Sequence, residues 1–294
     1  MFKVFVKLLC VVVLCLCSQI SNAQLTDIAR LEYSLIPKSK SEDVYTRLRA
    51  LINYPIKLKN ESYVFIGGGY NRIILNLADE YPFDVSQFGT INIIDLNFAY
   101  TFEATENWRL GFKFNPRIAS TLTKRLTKDD FFINAGAYAI KDKTKDKTIE
   151  KPYRLILGLT FDATTGIPFP LPFVSYFRRV NEKWSFSLGV PKSNVKYFFN
   201  ETSIIQVFAG LDGYFANLQE PLMLNDQQVE NVSLSLAVGG LGYEYCFTKH
   251  LVAYVYAGYT LRLNNVLRDK NREEVFKLDD INAFYLRTGL KFKI

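Results

Sequence analysis

Along most of this chain, apolar and polar residues alternate one by one. Val44, Thr46, Leu48, Ala50, Ile52, Tyr54, Ile56 and Leu58 hold one parity, and Arg47, Arg49, Asn53, Lys57 and Lys59 hold the other. A period of two sends successive side chains to opposite faces of a strand, so such a run predicts a half-buried strand. The pattern recurs. Leu96, Phe98, Tyr100 and Phe102 oppose Asp95, Asn97, Ala99 and Thr101, while Trp108, Leu110, Phe112 and Phe114 oppose Arg109, Gly111, Lys113 and Asn115. Tyr153, Leu155, Leu157, Leu159 and Phe161 oppose Arg154, Gly158, Thr160 and Asp162, and Trp184, Phe186, Leu188 and Val190 oppose Ser185, Ser187 and Gly189. The last run sets Phe284, Leu286, Thr288, Leu290, Phe292 and Ile294 against Ala283, Tyr285, Arg287, Gly289, Lys291 and Lys293.

Read this way, the chain predicts strands near 29–37, 43–58, 62–77, 91–102, 108–120, 131–140, 153–162, 172–180, 184–190, 195–199, 203–215, 231–247, 251–263 and 282–294. The count is fourteen, or twelve if 184–190 and 195–199 do not form a hairpin through the wall. An apolar face that runs to Ile294 suits a last strand that must pair with the first. That partner is 29–37, or 43–58 if the earlier segment is not a wall strand. Short polar links at Lys59–Glu61, Glu103–Asn107, Val180–Lys183, Asn200–Thr202 and Thr248–His250 mostly alternate with longer ones. The longer links are Ala78–Phe88, Thr121–Asp130, Ala163–Pro172, Ala216–Glu230 and Asn264–Asp280. The charged link Lys141–Lys151 falls where a short turn is due. Between Asn231 and Phe247 the apolar parity changes, from Val232, Leu234, Leu236 and Val238 to Leu241, Tyr243, Tyr245 and Phe247. Either a bulge at Gly239-Gly240 restores one lipid-facing side, or those glycines form a tight turn.

The N-terminus has Lys3 and Lys7, an apolar run from Leu8 to Cys17, and Ser21-Asn22-Ala23. This is the pattern of a cleaved export signal over 1–23, with 24–294 as one barrel domain. The apolar run is too short to span a bilayer comfortably, and Leu9, Leu14 and Leu16 before the three cysteines argue against a lipid anchor. Cleavage leaves Cys246 alone, without an internal disulfide partner. The formal charge is +7, and loss of Lys3 and Lys7 leaves a mild +5, which favours contact with anionic lipid or lipopolysaccharide. No basic cluster accompanies a nucleic-acid-binding motif, so nucleic acid is not expected as a partner. Beyond the signal there is no run of eighteen apolar residues, yet aromatics make up 15% of the chain, with 24 Phe and 18 Tyr. Alternation, aromatics and export without a spanning helix predict an all-β, transmembrane antiparallel β-barrel in the outer membrane. A secreted β-sandwich would also alternate, but it would not need aromatics near both ends of so many strands.

Little in the sequence suggests catalysis. His250 is the only histidine, and it lies in the predicted turn Thr248-Lys249-His250. One histidine and one mature cysteine cannot form an ordinary zinc site, and neither Asp129-Asp130 nor Asp279-Asp280 continues into a calcium-loop spacing. No enzyme activity, metal or cofactor is expected. Gly67-Gly68-Gly69 lacks the Gly-Lys-Ser/Thr of a phosphate loop, and in a wall strand it marks a bend or close packing. Three Asn-X-Ser/Thr triplets read as turn chemistry. The informative charges are those that parity turns inward: Arg47, Arg49, Arg109, Lys113, Arg117, Arg154, Arg287 and Arg72. The acids Asp95, Asp162, Glu244 and Asp212 face them. A charge facing lipid costs about 2–4 kcal/mol at the midplane, which favours this inward placement. Two readings stay open: an Arg-rich pore that attracts anions, or a plugged interior in which Arg pairs with carboxylates and Tyr hydroxyls.

Four stretches resemble the small outer-membrane β-barrel families of Gram-negative bacteria, and in particular a family of uncharacterised exported barrels. They are Ser21 to Gln24, Leu51 to Leu58, Trp184 to Pro191 and Phe284 to Ile294. The resemblance spans the mature chain and implies a barrel inserted by the barrel-assembly machinery and closed by Phe284, Leu286, Leu290, Phe292 and Ile294. It departs at Ile294, where such chains usually end in an aromatic residue. The expected roles are a passive channel or transporter for a small, anionic solute, or a structural barrel that docks an envelope protein partner.

Overall fold

The computed structural model describes residues 27–146, 148–162, 170–224 and 226–293. The predicted signal, the outer link at 163–169 and Ile294 lie outside these residues. The strands are β1 (Asp27–Ile36), β2 (Val44–Lys57), β3 (Tyr63–Asn76), β4 (Thr90–Thr105) and β5 (Trp108–Ser120). Next come β6 (Phe131–Asp142), β7 (Tyr153–Phe161), β8 (Pro170–Arg179), β9 (Trp184–Val190) and β10 (Lys192–Phe198). The last five are β11 (Ser203–Leu224), β12 (Gln227–Cys246), β13 (Leu251–Arg268), β14 (Glu274–Lys277) and β15 (Phe284–Lys293). Each strand from β2 to β13 pairs with its predecessor, and β15 closes the ring between β13 and β1. Fourteen of the fifteen strands form the wall; β14 pairs only with the end of β13.

Strand formation follows the alternation, and the outer face explains it. Leu31, Leu48, Ile52, Leu96, Phe112, Leu159, Leu188, Val207, Leu241, Val255 and Leu290 all point outward and are exposed. A continuous apolar surface around a closed wall is stable only against lipid. Aromatics ring the end with short turns, in contacts such as Tyr100–Phe102, Tyr153–Tyr176, Trp184–Tyr197 and Tyr245–Phe247. Tyr70, Phe131, Tyr259 and Phe284 lie exposed toward the loop end. The barrel is thus an all-β transmembrane barrel with an interfacial belt at each rim.

Closure uses 27–36 and not 43–58 as the first edge. Leu35 pairs with Leu286, Leu31 with Leu290 and Ala29 with Phe292, while Tyr259 faces Phe284 from the other side. The pair β9–β10 does form a wall hairpin, with Val195 against Phe186 and Tyr197 against Trp184.

Three expectations need correcting. The segment 216–230 is not a long loop: β11 continues to Leu224, and β12 begins at Gln227. Residues 264–280 likewise contain the end of β13 and all of β14. The parity change at Gly239-Gly240 is neither a bulge nor a turn, because β12 keeps one register with β11 from Val238 through Leu241. Even positions stay inside throughout, so Val232, Leu234, Leu236 and Val238 are buried in the interior while Leu241, Tyr243 and Tyr245 face outward.

The reason lies in the loop-end half of the β11–β12 hairpin. Gly213 through Leu218 and Val232 through Leu236 are buried on both strand faces. A strand covered on both sides has left the barrel surface and entered the interior. Its inserted part crosses the mouth and meets the opposite wall, where Asn217, short of the hairpin's end at Leu224 and Gln227, pairs with Ser120 of β5. The crossing begins at Gly213, whose φ of 155° suits glycine. Around the hairpin, Ile36, Ile73, Phe88, Ile91, Tyr214 and Leu267 build an apolar core inside the loop end.

Ile52 is midway along β2 and 62% exposed on the outer face. Ile52→Arg is expected to destabilise the barrel by about 2–4 kcal/mol. Denaturant titration in lipid vesicles measures this, and an unchanged midpoint would contradict the outward assignment.

Candidate functional site

Below the apolar core, the inner face is polar, and its charges are grouped. The central group holds the folded-in hairpin. Asp212 lies on β11 just before the bend at Gly213. Its Oδ1 accepts from Arg47 Nη1 at 2.8 Å and from the Gly213 N–H at 2.8 Å. Its Oδ2 accepts from Arg287 Nη2 and from the Tyr285 hydroxyl. Arg47 also donates through Nε and Nη2 to Asn71 Oδ1 at 3.1 and 2.9 Å. Arg287 approaches Glu32 at 3.7 Å, and the Tyr254 hydroxyl donates to Glu32 at 2.6 Å. The charges of this group tolerate burial because they are paired and hydrogen-bonded.

A second group centres on Glu244. Its Oε1 accepts from Lys196 at 2.9 Å, Gln206 at 2.9 Å, Tyr256 at 2.7 Å and Lys291 at 3.0 Å. Lys291 therefore serves the interior. A third group joins Arg117 to Asp95 at 2.6 Å and Lys113 to Asp162 at 3.4 Å.

The inserted part of the hairpin is fixed to the loop between β5 and β6. Asn217 Nδ2 and Gln219 Nε2 donate to the two oxygens of Asp130, each at 2.8 Å. The Thr127 N–H donates to Asp130 Oδ2 at 2.8 Å, and the Thr121 N–H donates to the Asn217 carbonyl at 3.3 Å. Burial alone would raise the Asp130 pKa, but hydrogen bonds from Ser120, Asn217, Thr127 and Gln219 outweigh it and hold the carboxyl below its ordinary value.

Toward the short turns, the interior is empty. A cavity of about 650 Å³ opens at that end between Glu61, Asn107 and Lys145, and a polar recess of about 150 Å³ adjoins it deeper in the barrel. Tyr63, Phe65, Arg109, Lys113 and Asn97 line the cavity, and Arg49 and Asn115 line both spaces. An amide ladder crosses its side. Asn97 donates to Asn53 at 2.9 Å across β3, and Asn115 donates to Asn97. Gly67 permits this, because a Cβ there would lie 2.2 Å from the Ile52 carbonyl and 2.4 Å from Asn53 Oδ1. The triple glycine therefore marks close packing.

Of the residues singled out from sequence, Arg47 and Arg287 meet at Asp212 in the centre. Arg49, Arg109 and Lys113 line the cavity. Arg109 also bonds the Glu61 carbonyl and Glu103 and packs on Tyr63. Arg154 stands apart, packed on Phe177 and 4.0 Å from Asp142. Arg72 is exposed on the outer face and is corrected accordingly. The closure residues Phe284, Leu286, Leu290 and Phe292 sit on the outer side of β15. His250 is an exposed turn residue whose ring lies beside Phe292. Asp130 and Asp279 are engaged by protein groups, Asp279 by Arg262 at 2.8 Å. Sequence reading missed Glu32 and the amide ladder. Glu32 could have been found from Arg30-Leu31-Glu32-Tyr33-Ser34, where the same alternation runs through β1.

Comparison with known proteins gives a family and weak fold likenesses. Residues 84–293 match the family model described as "Domain of unknown function (DUF6268)", so the chain belongs to that family. No curated protein matches. Among solved structures, a KdgM porin in complex with disordered oligogalacturonate is similar at TM-score 0.36 and 10% identity, over 90% of this chain and 99% of that one. A NanC porin is similar at TM-score 0.38 and 12% identity, over 90% and 100%. LpxR from Salmonella typhimurium is similar at TM-score 0.38 and 9% identity, over 90% and 100%. At scores this low, these likenesses carry no argument about solute or reaction.

Because the folded-state pKa of Asp130 is depressed, its contribution to hairpin docking is present above the unfolded value of about 4 and is lost as pH falls through the lower folded value. Corrected for the intrinsic pH dependence of amide exchange, protection of residues 214–219 is therefore expected to fall below about pH 4. Asp130→Asn should lower it at neutral pH and flatten the acid response. Protection that does not change with pH in the unsubstituted protein would contradict the role given to Asp130.

Proposed function

We propose that this member of the DUF6268 family is a gated conduit of the outer membrane for a small anionic solute, shut at rest by its own β11–β12 hairpin. The observation that carries the reading is the hairpin half buried on both faces inside the mouth, above a cavity that is open at the turn end. A barrel wide enough to enclose both has the dimensions for passage once the hairpin is withdrawn. The outward apolar band and both aromatic belts support a membrane location. The signal pattern in 1–23 supports export, and the outward Phe292 on the closing strand supports handling by the barrel-assembly machinery. An anionic solute fits Arg49, the cavity cation with no bonded carboxylate among the described residues, whereas Arg109 and Lys113 are paired with Glu103 and Asp162. Arg47 and Arg287 add little to selectivity while Asp212 neutralises them.

A second reading has its own support. The apolar core at the loop end is continuous and buried, as in a permanent plug, which suits a barrel that docks an envelope protein. Planar-bilayer conductance separates the two. The unsubstituted protein should be shut or open rarely. Asp130→Asn combined with Asp212→Asn weakens the Asn217–Gln219 contact and takes the shared carboxylate from Arg47 and Arg287, which should raise the open fraction about 100-fold or more. Openings should prefer anions. Continuous conductance of the unsubstituted protein would contradict gating. Silence of a variant shown to be folded by heat-modifiable migration would favour the docking barrel.

A further inference from the structure

The turn-end cavity holds a cation that the ion-pair networks leave out. Arg49 stands directly opposite Glu32 in the β1–β2 register. Glu32 is nonetheless occupied by the Tyr254 hydroxyl at 2.6 Å, with Arg287 at 3.7 Å and Arg30 at 3.8 Å. Among the described residues, Arg49 makes no hydrogen bond or ion pair, and it lines both the cavity and the recess. A guanidinium held inside a wall without a bonded carboxylate is costly, and an anion within reach removes the cost. Its planar fork suits a carboxylate or phosphate.

A second group points into the same place. Asn115 is 3% exposed and lines both spaces. Its Nδ2 donates to Asn97 and to the Leu96 carbonyl, while its Oδ1 accepts from no group. A buried acceptor without a donor calls for an O–H or N–H from whatever fills the recess. The aromatic rings of Tyr63 and Phe65 lie on the route from the turn end.

We propose that the recess binds a small organic anion that also carries hydroxyl groups. The anionic group lies on Arg49, and a hydroxyl donates to Asn115 Oδ1 once that amide, whose oxygen is buried in the unliganded barrel, turns toward the recess. This deepens the conduit reading and rests on it for its biological use, since the cavity would then be where the solute pauses before the hairpin. Binding itself needs no open state.

Calorimetry on the purified barrel in neutral detergent tests the site, with gluconate as probe, sorbitol as the uncharged polyol and acetate as the anion without hydroxyls. Gluconate should bind at least tenfold more tightly than acetate, and sorbitol should not bind measurably. Arg49→Gln should weaken gluconate about 10–100-fold without lowering the thermal unfolding temperature of the unliganded barrel, and Asn115→Leu should erase the preference for gluconate over acetate. Lys270→Gln, at the far end, should leave affinity unchanged. No gluconate binding to the unsubstituted protein, or equal affinity in Arg49→Gln, would overturn the proposal. Because this is binding to a shut barrel, gluconate binding without any conductance would keep the site and reject the conduit. Conductance without gluconate binding would do the reverse.

Discussion

A carboxylate between two guanidinium groups decides the shape of this interior. Asp212 lies where β11 leaves the wall, and it accepts from Arg47 of β2 and Arg287 of β15, which stand on the far side of the closure seam. Without those donors, a charge at the bend would be buried unpaired, a situation that costs several kcal/mol. With them, the bend is directed toward the seam, and the strands beyond it enter the mouth. The apolar core follows, because residues on both faces of the inserted hairpin then need apolar neighbours. Ile73, Ile91, Phe88 and Leu267 supply them.

This arrangement divides the barrel into three levels. The loop end is apolar and filled, the middle is an ionic layer in which acids and bases neutralise one another, and the turn end holds an open cavity lined by aromatic, apolar and charged side chains. The same inward arginines therefore do different things at different depths. Arg47 and Arg287 are structural ties, whereas Arg49, two residues along β2 from Arg47, faces open space. The lipid-facing side is indifferent to these levels, since the bilayer asks only for an apolar band.

The wall was readable from sequence because lipid imposes a period of two on every strand and forbids charges on one parity. Leu31 against Glu32 and Leu286 against Arg287 are instances of one rule, and the fourteen wall strands follow from it. The inserted hairpin was not readable for the same reason. Val232, Leu234, Leu236 and Val238 are apolar because they enter a protein core, yet alternation alone cannot distinguish a core from lipid. The parity change near Gly239-Gly240 was the available trace, and it marks where inner positions pass from the apolar level to the ionic one. Inward placement of Arg47 and of Asp212 was legible; their pairing across 165 residues was not, because side chains across a lumen carry no local spacing.

The most direct test of the inserted hairpin is a cross-link to the opposite wall. Ser120 and Asn217 are paired across the mouth although they belong to strands on opposite sides of the wall. Cysteines placed at both positions, with Cys246→Ala to remove the native thiol, should form a disulfide readily in the folded, membrane-inserted barrel. Thiols that stay reduced under oxidising conditions, in a barrel shown to be folded, would mean that the hairpin does not cross the mouth.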